Sequence, residues 1–292
     1  MNQPKITIVT PNYNMGEYLE KTILTILNQE YPNLEYIIID GGSTDDSIDI
    51  IKKYEKHLTY WESEEDQGMY HAIQKGFERG TGEIMGWLNS DDMLHPNALS
   101  TVSEIFSKFQ KVQWLQGRPT SFDEKDRTVN VGELKSWSKY HFYLGNYKWV
   151  QQESTFWRRT LWEEAGSSLN LNLKYAGDFE LWLRFFRHAE LFSTSALIGG
   201  FRYRTTNQIS KENLSNYLQE AEECITNELR KLSMKEQKKI KYLKLYQRIN
   251  QILRRTKILN NNLFERKILN KSIDAPPLIL FDVNTQTFYL GK

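Results

Sequence analysis

The chain has 292 residues, 39% of them hydrophobic and 26% charged, with a formal net charge of +1. That length allows one large domain or two modest ones, and no apolar run approaches the roughly 20 residues a bilayer span needs. The single cysteine, Cys224, excludes an internal disulfide and a thiolate metal cage, which suits a reducing compartment.

Lys5–Thr10 (KITIVT) reads as a short buried strand, reached directly from Met1, so no signal peptide is expected. Pro11-Asn12-Tyr13-Asn14 breaks it into a loop. Glu17–Gln29 places Leu19, Ile23, Ile26 and Leu27 at helical spacing. Leu34–Asp40 is a second apolar strand, and Asp45–Lys56 a second helix, capped by Ser43 or Asp45. Leu58–Ser63, Gln67–Arg79 and Glu83–Asn89 continue as strand, helix and strand. This alternation predicts a parallel sheet, and right-handed crossovers bring the carboxyl ends of its strands to one edge. A helix to about Phe109 and a strand over Val112–Gly117 follow, then a hairpin around Asp123–Arg127. Glu133–Val150 is aromatic and carries no clear period.

Gln151–Trp157 reads as a strand, Arg159–Ala165 as a short helix, and Asp178–His188 as a strongly amphipathic helix. Leu191–Tyr203 returns as a strand, and helical periodicity runs from Lys211 to about Asn260. Pro276-Pro277 ends that regime, and a terminal hairpin follows. Aromatic residues make up 13% of the chain. Such rings either fill a large core or line sites for sugars and bases, and the core reading comes first. Charge is unevenly spread. Arg230–Lys271 holds fourteen Lys and Arg against two Glu, a local net of +12, and the first 229 residues net −10. The basic stretch is an anionic membrane surface binder, a solvated helical face, or a contact between copies of the chain. It carries few base-stacking residues, so no nucleic-acid partner is expected.

In open α/β sheets the ligand sits beyond the carboxyl ends of the strands. Those ends deliver Thr10–Asn14, Asp40-Gly41-Gly42-Ser43, Glu64–Gly68 and Asn89-Ser90-Asp91-Asp92. Three of the four present carboxylates, which repel one another unless a hard divalent cation or similar charge lies among them. The first strand–helix turn, TPNYNMGEY, has one glycine, so it lacks the G-x-G-x-x-G of dinucleotide binders, and no P-loop motif exists.

In order, TPNYN, IIIDGGSTDDS, DQGMYHAIQKG and WLNSDDML resemble the successive motifs of family 2 glycosyltransferases. The likeness continues through QQESTFWRR and AGDFELWLRF to GGFRYRTTNQIS, over about residues 4–210. It implies an α/β domain of GT-A type over 1–210, a Rossmann-like mixed sheet flanked by helices. A basic, mainly helical C-terminal extension over 211–292 lies outside it. By this resemblance Pro11, Tyr13, Asp40 and Asp66 cradle the nucleoside, with Asp40 at the base or ribose, Tyr13 stacked on the base and Lys75 nearby. Asn89-Ser90-Asp91 takes the family's D-x-D position, with Asp92 following. Asp91 then binds the Mn²⁺ or Mg²⁺ that bridges the diphosphate, while Asn89 replaces the first acid and removes a charge. Arg202 and Arg204 fall where relatives carry Arg and His near the diphosphate. Arg204 stays protonated and cannot ligate metal, but it can grip phosphate oxygens bidentately.

Displacement at an anomeric carbon needs a base for the acceptor hydroxyl. The family's base, at the start of a later helix, matches Asp178. The residues alone allow a helix cap there instead. Glu180 is the second candidate on the acceptor side, and Gly177 stands where many relatives have Glu. Glu153, in the acceptor-side loop, either orients the sugar or pairs with Arg158. His71, His95 and His188 show no metal spacing.

The expected function is inverting transfer of a sugar, UDP-linked by family habit, from a nucleotide sugar to a hydroxyl of a glycan or lipid-linked acceptor. With neither transmembrane helices nor Q-x-x-R-W, single-sugar addition to a growing surface glycan fits better than processive synthesis. The expected place is cytoplasmic, peripheral at the inner face of the plasma membrane. Two rivals stand beside this reading. A nucleotidyltransferase normally needs a G-x-G-T-R-like loop, which is absent. A non-catalytic nucleotide-sugar-binding module is motivated by Asn89 and Gly177.

Overall fold

Strand β1 (Ile6–Asn12) has all seven residues buried, as a strand covered on both faces must. It runs two residues further than the sequence suggests, through Pro11 and Asn12. Then come α1 (Gly16–Leu27), β2 (Leu34–Asp40), α2 (Ser47–Tyr54), β3 (Tyr60–Ser63), α3 (Met69–Arg79) and β4 (Ile84–Trp87). In α1 the stripe of Leu19, Ile23 and Ile26 is fully buried. The computed structural model describes residues 3–145, 150–205, 212–256, 273 and 275–291, without the side chains of 250 and 253–256.

The middle of the chain gives β5 (Met93–Leu94), α4 (Ala98–Lys108), β6 (Trp114–Gln116), β7 (Thr120–Phe122) and β8 (Thr128–Val131). The expected hairpin around Asp123–Arg127 is the β7–β8 pair. Within the stretch that shows no clear period lies α5 (Lys139–Tyr143). Next come β9 (Thr155–Arg158), α6 (Arg159–Glu164), α7 (Gly177–His188), β10 (Leu191–Ser193) and β11 (Gly199–Arg202). The single strand expected over Leu191–Tyr203 is therefore two, in different sheets. The chain ends in α8 (Leu214–Lys231), α9 (Met234–Thr256), β12 (Ile279–Asp282) and β13 (Thr287–Leu290), the last two forming the expected hairpin. Residues 257–271 of the basic stretch lie outside the described residues.

Seven strands form one sheet in the order β10-β6-β9-β4-β1-β2-β3. β1 pairs in parallel with β2 and β4, and β2 with β3. β9 runs antiparallel to both β4 and β6, and β10 is parallel to β6. The sheet is thus mixed, with β9 reversed. The carboxyl ends of the other six strands share one edge with the start of β9. A second sheet, β5-β11-β7-β8, stands over that edge.

Each face of the main sheet has its own core. One holds Ile6, Ile8, Leu19, Ile38, Phe106 and Leu115, and β12–β13 adds Ile279 and Phe288 to it. The other is aromatic and gathers Trp87, Trp114, Trp137, Trp157, Trp162 and Trp182. Trp87 stacks on Trp182 with centroids 5.9 Å apart, and Trp114 meets Phe186 edge-on at 4.8 Å. Most of the tryptophans therefore build core, as the first reading of the composition has it. The C-terminal helices are packed here too, through Ala221, Ile225, Ile240 and Leu243. An ion pair from Arg187 on α7 to the buried Glu228 on α8 reinforces the joint.

Candidate active site

Asp40 closes β2, and its side chain is fully buried. Its two oxygens accept hydrogen bonds from Asn12 Nδ2 at 2.7 Å, Ser43 Oγ at 2.5 Å and Ser43 N at 2.9 Å. Gly42 N at 3.1 Å and Ser63 Oγ at 2.6 Å complete the set. These hydrogen bonds outweigh burial and hold the carboxyl below its usual range. Asp40 thus ties the ends of β1, β2 and β3 together, with both oxygens occupied. These bonds shape the loops at the strand ends. Pro11 likewise lies inside β1, buried in register with Ile39.

The open residues of this corner are others. Tyr13 is 61% exposed beside the strand ends, with its ring free of the core. Asp66 accepts Gly68 N at 2.6 Å and lies so close to Gly41 that a Cβ there would sit 2.9 Å from its Oδ2. The glycine lets the β3 loop close onto the end of β2. Lys75 pairs with Glu62 and stands 3.8 Å from Glu64, which holds its ammonium above the usual lysine range.

The Asn89–Asp92 loop is pinned to α1, because Thr22 Oγ1 donates to the carbonyls of Ser90 and Asp92 at 2.9 and 2.8 Å. Ser90 is buried. Asp92, 1% exposed, accepts Arg202 N at 2.9 Å and Asn89 Nδ2 at 3.3 Å. Burial raises its carboxyl well above the usual range, helped by the charges of Asp91 and Glu153. Asp92 therefore fastens β11 to the loop. Arg202 is also turned inward: fully buried, it pairs with Asp126 and donates to the Asp91 carbonyl at 2.6 Å. Asp92 and Arg202, both expected on the nucleotide sugar, have these protein partners in the structure.

Asp91 and Arg204 pair with each other. Arg204 Nε lies 3.0 Å from Asp91 Oδ2, and its guanidinium sits over Tyr18 at 5.6 Å. Burial raises Asp91, and the neighbouring Arg204 and Arg202 oppose that rise. Asn89 Oδ1 is buried with no hydrogen-bond partner among the described residues. Asp91 and Asn89 so offer one anionic and one neutral hard oxygen. That donor set fits a divalent cation that takes its other ligands from a diphosphate. Among the described residues no group of three or more His, Cys, Asp or Glu could cage a metal without one.

Asp178 lies in the first turn of α7, half-buried, while the cap position is Ala176 without a side-chain bond. The capping alternative is thus removed. Burial lifts its carboxyl to about 6, and Glu220 adds to the rise. Tyr70 Oη stands 3.5 Å from Asp178 Oδ1 and donates to the Tyr175 carbonyl at 2.9 Å. The Tyr70 ring also fills the space beside Gly177, where a Cβ would come within 2.7 Å of it. A tyrosine on α3 thus occupies the space that a side chain at 177 would need.

Glu153 is 5% exposed, with Oε1 unpartnered among the described residues. Burial raises it to about 8, helped by the charges of Asp178 and Asp91. Pairing with Arg158 is excluded, because that guanidinium bonds Glu83 at 2.8 Å and the Val112 and Phe106 carbonyls. Glu180 is bound to Arg184 at 3.0 Å, which in turn holds the Ala165 and Ser168 carbonyls. Through Arg184 it braces α7 against the end of α6.

Two participants escape sequence reasoning. Tyr70 sits inside the quoted DQGMYHAIQKG stretch, and only the contact with Gly177 shows its use. Glu220 on α8 accepts the N–H groups of Lys174, Tyr175 and Ala176 at 3.0, 2.9 and 2.8 Å. It lies beyond every motif, so no local signal marks it.

Comparison with known proteins follows the same lines. The family model described as Glycosyl transferase family 2 matches residues 7–167. A Bacillus subtilis protein named "Putative teichuronic acid biosynthesis glycosyltransferase TuaG" is 39% identical over 95 residues, 31% of this chain and 37% of its own length. An uncharacterized glycosyltransferase of Rickettsia prowazekii is 26% identical over 266 residues, covering 82% of this chain and 76% of its own. The matches span 37% to 40% of the length of the first three relatives. Among solved structures, Staphylococcus aureus TarS 1-349 in complex with UDP-GlcNAc superposes with a TM-score of 0.67 at 17% identity, over 90% of this chain and 76% of that one. The likeness to TarS shows the shared fold.

Proposed function

The chain belongs to glycosyl transferase family 2, and from that premise we propose that it moves a sugar from a nucleoside diphosphate to a hydroxyl of a glycan or lipid-linked acceptor, with inversion. The observation that carries this is the pairing of unlike sites at one sheet edge. Asp178 is a carboxylate raised to about 6, a range suited to a base near neutral pH. Arg204 is a guanidinium held beside Asp91 at the D-x-D position, 3.0 Å away.

The acceptor hydroxyl forms its bond to the anomeric carbon while its proton passes to an Asp178 oxygen. The bond from that carbon to the diphosphate oxygen breaks, and the electron pair leaves with the nucleoside diphosphate. Attack opposite the leaving group inverts the anomeric centre. Arg204 meets the charge that develops on the diphosphate. A Mg²⁺ or Mn²⁺ held by Asp91 and Asn89 would supply further positive charge there when bound. Tyr13 offers a ring to the base and Asp66 a carboxylate to the ribose. The UDP-GlcNAc bound by TarS favours a UDP-linked donor.

TuaG's name points to a surface polysaccharide as the kind of acceptor. No helix among the described residues is long and apolar enough to cross a membrane. On α9, Tyr242, Leu245, Ile249 and Ile252 form an exposed stripe among Lys238, Lys241 and Arg248. Such a face suits peripheral contact with anionic lipid, close to a lipid-linked acceptor.

The test is turnover of a panel of UDP-sugars, with UDP affinity measured by calorimetry with Mn²⁺ and with EDTA. Asp178→Asn is expected to lower kcat by about 10²–10⁴-fold and leave UDP affinity unchanged. EDTA is expected to weaken UDP at least tenfold. Full activity in Asp178→Asn would remove the base assignment, and absence of UDP binding would remove the donor assignment.

A further inference from the structure

Further along the same sheet edge, past β9, opens a cavity of about 220 Å³ whose walls include Gln116, Ser193, Trp137, Glu133, Lys135 and Pro119. Gln116 ends β6 and Ser193 ends β10, and the two are partners in parallel register. Their side chains accordingly stand next to each other on one face of the sheet, the aromatic one. Gln116 is 1% exposed and Ser193 2%. Among the described residues neither Gln116 Nε2 nor Ser193 Oγ has a hydrogen-bond partner.

Leaving a buried amide or hydroxyl unpaired is costly, so polar groups this deep are normally satisfied. Two neighbours lining one cavity, both unpaired, mark a place where a ligand supplies the missing bonds. The remaining walls narrow its chemistry. Trp137 contributes an indole, and Glu133 and Lys135, paired at 3.1 Å, form a polar rim. An aromatic face beside an amide and a hydroxyl matches a ring with an apolar C–H face and hydroxyls around its edge. A phosphate would meet a single lysine already paired with a carboxylate, and a lipid chain would leave the amide and hydroxyl unpaired.

The cavity is also close to the chemistry. Trp137 lies 5.8 Å from Phe142, and Phe142 5.1 Å from Phe179, the residue after Asp178. The Trp137 and Phe179 rings are therefore within about 11 Å of each other.

We propose that this cavity is an acceptor subsite, which binds a sugar unit of the acceptor glycan adjacent to the one whose hydroxyl Asp178 deprotonates. The word acceptor rests on the transferase reading, whereas sugar binding rests on the cavity alone.

The experiment is saturation-transfer difference NMR on the full chain with UDP present. Its probes are methyl glycosides of glucose, galactose, N-acetylglucosamine and N-acetylgalactosamine. The wild type is expected to bind at least one of them, and Gln116→Leu and Trp137→Ala to bind it about tenfold more weakly, as loss of one buried contact predicts. Gln116→Leu and Ser193→Ala are expected to hold or raise Tm, since each removes an unpaired polar group, so lost binding cannot be put down to misfolding. Two results overturn the proposal: no methyl glycoside bound at millimolar concentration, or binding unchanged in Gln116→Leu and Ser193→Ala. UDP affinity of the same preparations reports separately on the donor reading. A wild type that binds UDP but no methyl glycoside sinks the subsite alone.

Discussion

Glu220 Oε2 lies 2.8 Å from the backbone nitrogen of Ala176 and 2.9 Å from that of Tyr175. A carboxylate on α8 thus holds the loop that leads into α7 and Asp178. Glu220→Ala strips three backbone N–H groups of a charged acceptor. Loss of about 1.5–3 kcal/mol of stability and a reduced kcat are expected. Glu220→Gln keeps an acceptor oxygen but removes the charge that helps raise Asp178. Asp178 then ionises at lower pH, so the acid limb of the kcat profile, near 6 in the wild type, should move down by less than one pH unit. Rate profiles between pH 4.5 and 8 check this.

Gly177 and Tyr70 make a matched pair. A Cβ at 177 would sit 2.7 Å from the Tyr70 ring. Gly177→Glu, which adds a side chain against that ring, is therefore expected to cost about 1–3 kcal/mol through overpacking. Adding Tyr70→Ala to Gly177→Glu should return part of the lost Tm. Additive losses in the double mutant, measured by thermal melts, would contradict the contact as described.

Glu153 predicts a pH dependence of stability. Its folded-state value of about 8 lies above the unfolded value of 4.5, so the folded protein holds the proton more tightly. The resulting stability is fully present below pH 4.5 and is lost as pH rises through about 8. Glu153→Gln lacks this loss. The stability gap between Glu153→Gln and wild type should widen in favour of the mutant by about 1 kcal/mol per pH unit across that window. Denaturant titrations at pH 5, 7 and 9 measure it, and a constant gap would show that Glu153 is not buried as a neutral acid.

The apolar stripe of α9 predicts binding to vesicles rich in phosphatidylglycerol and none to phosphatidylcholine vesicles. Salt near 0.5 M should release the protein, because surface charge attraction is screened within about 4–5 Å at that strength. Leu245→Glu combined with Ile252→Glu should abolish co-sedimentation and leave the melting temperature near wild type, since both side chains are exposed.

Much of the architecture is written locally. Alternating apolar runs and amphipathic stretches set β1 to β4 and α1 to α4, because the period of apolar residues decides which faces can be buried. The strand-end motifs marked the edge where ligand chemistry belongs. What each carboxylate does there was not local. Asp40, Asp92 and Arg202 read as donor contacts in a linear motif, and the fold adds the braces they form with Ser43, Ser63, Asn89 and Asp126. Asp178 has the same side chain as Asp40 and Asp92. Burial is what raises it to about 6, with a smaller push from Glu220, 42 residues further along the chain, and against the hydrogen bond from Tyr70. Hydrogen-bond saturation and desolvation depend on which neighbours arrive from distant parts of the chain. A sequence motif can therefore supply a carboxylate, while only the packed structure decides whether it holds a loop together or meets a substrate.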